Sequence, residues 1–300
     1  MIYGILFYGI VGGIVFLIVW MKRRRTANFY KLIVAADRGE KGAREALYKA
    51  MDKMGINENY HVIREKMYRR LAEQGDTFAM VQLGQSIQNE NPAEAYALFC
   101  TAADCGDTSA MRALGDGFDE YRNNPHHGLK GFGYDPVISF QWYKKAATLG
   151  DAEAMYWVAS AYSLGEGVDA NETLAYQWAL QGSNRGNTSC MQFLSDHYYS
   201  SPRSPYYNVG QAIALLEKVI LTGDPYGYEQ ATRSLGYIFD GRNTQYRNPK
   251  KAAYCFTLSA FASGNGNFEL VYKTGYPVSQ RELSCWREDA LALRYRPNDC

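Results

Sequence analysis

Behind a series of glycines, apolar residues return at every fourth position. Four residues past the glycine stand Ala43, Ala79, Ala110, Ala154 and Cys190; eight past it, Leu47, Leu83, Leu114, Val158 and Leu194; twelve past it, Met51, Ile87, Phe118, Tyr162 and Tyr198. Residues four apart share one face of an α-helix, so each stretch predicts an amphipathic helix. Its buried stripe carries a small, a branched and a bulky side chain in turn. The glycines are Gly39, Gly75, Gly106, Gly150, Gly186, Gly223 and Gly264, at intervals of 36, 31, 44, 36, 37 and 41 residues. After Gly223 the phase returns when Pro225–Tyr228 counts as a four-residue insertion; Ala231, Leu235 and Phe239 then fill the three slots. Periods of this length mark a repeat architecture.

The other half of each unit also reads as a helix. Pro92, Pro136 and Pro249 fall where a first helical turn begins, a place at which the missing N–H costs little. Aromatic residues follow at related positions: Phe99, Trp142 with Tyr143, Trp178, and Tyr254 with Phe256. Ala102-Ala103 and Ala146-Ala147 lead into the glycine, which suits a left-handed helix end. Asp76, Asp107, Asp151, Asn187 and Asp224 after the glycine suit the N-cap of the next helix. No sustained alternation of period two appears, so strands are not expected. The fold class is therefore all-α: an α-solenoid of about six helix-turn-helix units over residues 26–278. A C-terminal capping helix and tail take residues 279–300. Ser279-Gln280-Arg281-Glu282 has the pattern of a capping box ahead of Leu283, Trp286, Ala290 and Leu293.

The clearest unit runs from Gly150 to Gly186. Its Ala154, Ala159, Tyr162, Gly165, Gly167, Val168, Ala175 and Trp178 resemble the Sel-1-like repeat, a relative of the tetratricopeptide repeat. The turn Y-x-x-G-x-G-V, Tyr162 to Val168, is the specific part. The resemblance covers roughly residues 39–264, with Gly75, Gly106, Gly150, Gly186 and Gly223 as its recurring marks. Two units depart from it. The unit after Gly75 has a short turn, Gln88–Asn91, and the unit after Gly186 has Ser200–Pro205 where Gly-x-Gly is expected. The resemblance implies a binding scaffold whose rigid curved surface holds another protein.

Ahead of the array lies a different pattern. Ile2 to Trp20 is 19 residues without a charge or a side-chain amide. As a helix rising ~1.5 Å per residue it would be about 28 Å long, near the thickness of a bilayer's hydrocarbon core. A cleaved signal has basic residues before its apolar stretch and a small-residue cleavage site after it. Here the bases, Lys22, Arg23, Arg24 and Arg25, come after. The expectation is a single-pass transmembrane anchor within residues 1–25, with Tyr3 and Trp20 at its two interfaces. The four bases favour the cytoplasmic side, which places the array in the cytoplasm against an inner membrane; the resemblance to Sel-1-like repeats, together with this anchor, implies a bacterial source. Gly9 and Gly13 form a small-xxx-small pair through which two anchors would approach as a homodimer.

Composition then narrows the function classes. The net charge of the 300 residues is +1. Beyond residue 25 there are 28 basic against 31 acidic residues, a net of −3, so nucleic acid is not expected as a partner. A chain that is 47% hydrophobic and 14% aromatic buries a core and is not disordered. The cysteines, Cys100, Cys105, Cys190, Cys255, Cys285 and Cys300, contain no C-x-x-C pair and read mostly as apolar packing residues. The histidines are His61, His126, His127 and His197. The adjacent pair His126-His127 does not share a helix face, and it lies in the longest insertion, Glu120–Tyr134, which reads as a surface loop. Asp116, Asp119 and Glu120 read as a solvated helix end. There is no G-x-S-x-G elbow, H-E-x-x-H or Walker loop, so no catalytic, cofactor-binding or metal-ligating residue is assigned. Of 25 Tyr and 5 Trp, most are expected between helices and a minority on a concave, partner-facing side. The pattern does not say which. The expectation is a membrane-tethered protein-interaction scaffold. The alternatives are an inhibitor or immunity-type protein that sequesters one enzyme and, third, a hydrolase.

Overall fold

Asp76, Asp107, Asp151, Asn187 and Asp224 each open a helix in the computed structural model of the chain, and each side chain accepts a hydrogen bond from a backbone N–H two or three residues on. The structure describes residues 58–119, 132–200, 205–241, 245–264 and 268–296, together with the single positions 31, 35, 42, 46 and 49. The residues expected to form the anchor, Ile2 to Trp20 with Lys22–Arg25, lie outside them, as do Gly39, His126, His127 and residues 201–204. Among the described residues no helix is long and apolar enough to cross a membrane.

Two compact units divide between Cys105 and Gly106. The first holds α1 (Glu58–Glu73), α2 (Thr77–Ile87) and α3 (Pro92–Asp104), packed in chain order. The second runs through α4 (Thr108–Phe118), α5 (Pro136–Thr148), α6 (Ala152–Leu164), α7 (Glu172–Asn184), α8 (Thr188–Ser200), α9 (Val209–Leu221), α10 (Pro225–Asp240) and α11 (Pro249–Ala262). Each of these packs on the next, and α8 also touches α6 and α10, two helices away on either side. The short α12 (Glu269–Lys273) and the capping helix α13 (Gln280–Leu291) both rest on α11. The helix pairs fall where the repeat predicts them; α12 has no counterpart in the sequence reading.

The three-slot stripe is the core. Ala79, Ala110, Ala154, Cys190 and Ala231 are fully buried, and Leu83, Leu114, Val158, Leu194 and Leu235 are at most 1% exposed. In the third slot Ile87, Tyr162, Tyr198 and Phe239 are buried, while Phe118 is half-buried beneath the ring of Phe132. The glycines that end the second helices adopt left-handed φ, from 67° at Gly264 to 99° at Gly150.

One backbone bond recurs in every helix pair. The N–H of the second helix's N-cap donates to the carbonyl of the third-slot residue: Asn91 to Ile87, Asp135 to Phe118, Asn171 to Tyr162, Asn208 to Tyr198 and Asn248 to Phe239, at 2.7–3.0 Å. The connecting turn is four residues long in the first case and seventeen in the second. The clamp therefore fixes the start of the second helix whatever the turn contains. This is why the departures at Gln88–Asn91 and Ser200–Pro205 leave the helix pairs in register.

The insertion Pro225–Tyr228 is an added helical turn at the start of α10, which has 16 residues against 13 in α6 and α8. Its Tyr228 is fully buried and donates its hydroxyl to the Arg294 carbonyl at 2.7 Å. A second buried network holds the same C-terminal strap. Tyr254 donates to Asp289 (3.2 Å), Arg296 pairs with Asp289 (2.7 Å), and the Arg296 N–H donates to the Tyr254 hydroxyl. The capping box at Ser279 forms, and Trp286 and Ala290 are buried beneath it. With α10, α12 and α13 around it, α11 is buried from Ala252 to Ala260; its two buried hydroxyls are satisfied, Thr257 donating to the Ala253 carbonyl and Ser259 to Glu229.

Candidate functional site

The second unit carries a groove of about 610 Å³ over α4, α5 and α6. Its floor follows from repeat packing. Gly115 of α4 has no side chain where α5 crosses it, and the ring of Tyr143 occupies that space; a β-carbon there would lie 2.8 Å from the ring. The Tyr143 hydroxyl then reaches Asp116 Oδ1 at 2.6 Å, and Ser139 Oγ donates to the Gly115 carbonyl at 2.9 Å. These bonds lock α5 onto α4. Tyr143 stacks against Trp157 of α6 (5.7 Å between centroids, 19°), and Tyr156 meets Trp157 edge-on at 5.1 Å. Phe140 meets Tyr162 edge-on at 5.3 Å. Tyr134 and Leu164 stand at the open rim, with Asp119 and Glu166, and Tyr226 from the added turn of α10 completes the lining.

The Tyr162–Val168 turn shapes one end of this wall. Gly165 and Gly167 both have positive φ, 75° and 68°. At Gly167 a second constraint applies: a β-carbon would lie 1.9 Å from the Pro136 carbonyl oxygen, so the turn passes directly over the start of α5. Gly167 thus joins one unit to the preceding one as well as shaping the turn, while Gly165 meets only its own turn, at Val168 and Ala170. Arg112 ties the same units at their other end, with Nε 3.1 Å from Asp151 and a second contact to Glu153.

The sequence-level candidates distribute unevenly. Gly75, Gly106, Gly150, Gly165, Gly167, Gly186 and Gly223 have positive φ, Ala154 and Tyr162 are buried, and Trp178 is half-buried against the core. Asp116 and Asp119 are more than a solvated helix end, since one holds Tyr143 and the other lines the groove. Packing accounts for Cys190 and Cys255, which are buried, but not for Cys105 and Cys285, which are exposed. Burial pushes the Cys190 thiol up to about 12, which keeps it protonated and unreactive. His197 lies with Nδ1 3.9 Å from Glu172 and its ring 4.6 Å from Phe193. Tyr156 and Trp157 were within reach of sequence reasoning, as adjacent aromatics just off the buried stripe. Tyr134 and Tyr226 were not, because only the fold brings a loop residue and an added turn to the same groove.

Four segments match the family model of the Sel1 repeat: residues 78–107, 108–151, 152–187 and 230–260. The stretch between them, with the Ser200–Pro205 turn and the start of α10, keeps the Asn208–Tyr198 clamp. In structure the chain is similar to a Sel1 repeat protein from Oxalobacter formigenes, with 21% identity, coverage of 76% of this chain and 78% of that one, and a TM-score of 0.49. It is also similar to a protective antigen present in uropathogenic Escherichia coli strains and displaying an SLR fold. That likeness has 22% identity, covers 87% of this chain and 57% of the other, and has a TM-score of 0.58. The chain thus spans little more than half the length of that antigen. The likeness shows the fold, an all-α solenoid of Sel1 repeats. No curated protein matches in sequence.

Proposed function

We propose that this array of Sel1 repeats, matched over residues 78–187 and 230–260, is a scaffold that binds another protein and is held at a membrane. Sel1 repeat proteins mediate protein–protein interaction, and arrays of this kind are typically not enzymes. The observation that carries the binding role is the groove over α4–α6. It gathers Phe140, Tyr143, Tyr156 and Trp157 with two carboxylates, the mixture of aromatic area and polar rim that anchors a partner chain. The membrane tether rests on the uncharged run Ile2–Trp20 and the four bases after it, which also favour a cytoplasmic array.

Two measurements test this. A photo-crosslinking residue at position 160, in the groove, is expected to trap a discrete protein in cells. Failure to trap any protein there overturns the groove as the binding surface. Protease added to spheroplasts is expected to leave residues 26–300 intact; digestion in sealed cells reverses the orientation.

A further inference from the structure

We infer that the edge where α11 and α13 begin receives an acidic segment of the partner protein, one bearing several Asp or Glu carboxylates; the inference rests on the scaffold reading above. The charge of the array carries it, and that charge is split along the chain. Residues 26–240 hold 19 basic and 26 acidic residues, a net of −7, whereas residues 241–300 hold 9 and 5, a net of +4. Equivalent turns show the same reversal. Ser163–Leu174, from the end of α6 into α7, has three acids and no base. Asp240–Lys251, from the end of α10 into α11, has Arg242, Arg247, Lys250 and Lys251 against Asp240 alone. Both turns make the same backbone clamp, Asn171 to Tyr162 and Asn248 to Phe239, so the fold does not call for the change of sign.

The tertiary structure adds a second helix to this edge. Lys250 Nζ lies 3.7 Å from Glu282 Oε1, so the first turns of α11 and α13 stand side by side, and Arg281 joins the bases of α11. Arg247 and Arg281 are exposed. Lys250 and Lys251 are half-buried, with the Lys251 ammonium 5.7 Å from the Phe239 ring centroid. Glu282 also accepts from the Ser279 N–H and from the hydroxyls of Ser279 and Tyr276. With Glu282 and Asp240 both counted, these segments carry five bases against two acids, an excess of three. A guanidinium bonds a carboxylate through two N–H groups at once, which suits Arg247 and Arg281 to such a ligand. Among residues 245–252 and 276–283 no large apolar side chain is exposed, so the edge lacks the apolar contact that a membrane-binding face adds. Its two carboxylates interrupt the positive charge that a phosphate backbone follows.

The full-length protein in neutral detergent is titrated by calorimetry with acetyl-Gly-Glu-Glu-Gly-Glu-Glu-Gly-amide, its lysine counterpart, a short oligothymidylate and micelles carrying phosphatidylglycerol. The glutamate peptide is expected to bind at least about tenfold more tightly than the lysine peptide and to weaken as salt is raised. Arg281→Glu, at an exposed first-turn position where an acid suits the helix, is expected to weaken it several-fold. Arg185→Glu, which changes the net charge equally at the exposed end of α7, is expected to weaken it less than about twofold. Equal binding of the two peptides, no binding of the glutamate peptide at low salt, or equal losses in the two variants overturns the inference. So does tighter binding of the oligothymidylate or of the phosphatidylglycerol micelles than of the glutamate peptide. Self-association of the protein that Arg281→Glu abolishes overturns it too, because the occupant is then a second copy. A partner crosslinked at position 160 whose affinity Arg281→Glu leaves unchanged overturns this inference and leaves the scaffold standing.

Discussion

A β-carbon on Gly236 would lie 2.5 Å from two atoms of the Phe256 ring, so α10 and α11 meet there with nothing between backbone and ring. The same relation links Gly84 to Phe99 and Gly115 to Tyr143. The equivalent positions in the other two pairs are Ala159 with Ala179 and Ser195 with Leu216. Where the second helix offers a large ring, the first has no side chain; where the ring is replaced, the first helix fills in. Gly236→Ala is expected to destabilise by about 1–2 kcal/mol, the overpacking cost exceeding the gain in helix propensity. Combined with Phe256→Leu, the losses should be non-additive in urea unfolding. Additive losses would show that the ring is not what excludes the β-carbon.

Two glycines with positive φ should respond differently to alanine. Gly150 has open space where a β-carbon would go, so Gly150→Ala carries only backbone strain, about 1 kcal/mol. At Gly167 the β-carbon would also meet the Pro136 carbonyl, and Gly167→Ala is expected to cost about 3 kcal/mol or more. Thermal unfolding of the two variants separates local strain from contact between units. Equal costs would mean that the turn does not press on α5.

Ser195 is fully buried, and among the described residues its Oγ has no hydrogen-bond partner. The unit before has Ala159 in the same slot. Ser195→Ala removes an unsatisfied hydroxyl and is expected to raise stability by about 1 kcal/mol. A loss in denaturant titration would show that the hydroxyl has a partner, such as a bound water.

The capping box of α13 should be acid-sensitive. The Ser279 N–H donates to Glu282 at 2.9 Å, the Ser279 hydroxyl at 2.7 Å and the Tyr276 hydroxyl at 2.9 Å, with Lys250 Nζ 3.7 Å away. These donors hold the carboxyl down to about 2 from its ordinary 4.5. Folding thus favours the ionised form. Its contribution is complete above the ordinary value and is lost as pH falls from about 4.5 through about 2. Protection of the α13 amides from hydrogen exchange should drop across that window, and Glu282→Gln should flatten the drop. An unchanged profile in the variant would assign the acid response to another group.

By itself the sequence determined the units. A four-residue apolar period, a left-handed glycine and a capping Asp or Asn are local signals, set by helix geometry and backbone sterics within a few residues. They located Ala79, Leu83 and Ile87 and their equivalents without any tertiary contact. Only the tertiary structure decided which aromatics leave the core. Tyr143 points inward because Gly115, 28 positions earlier, makes room for it. Tyr226 joins Trp157 because an added turn of α10 projects it there. Both depend on how close two helices approach, a distance fixed by paired side-chain volumes far apart in the chain, which the period of one helix does not contain.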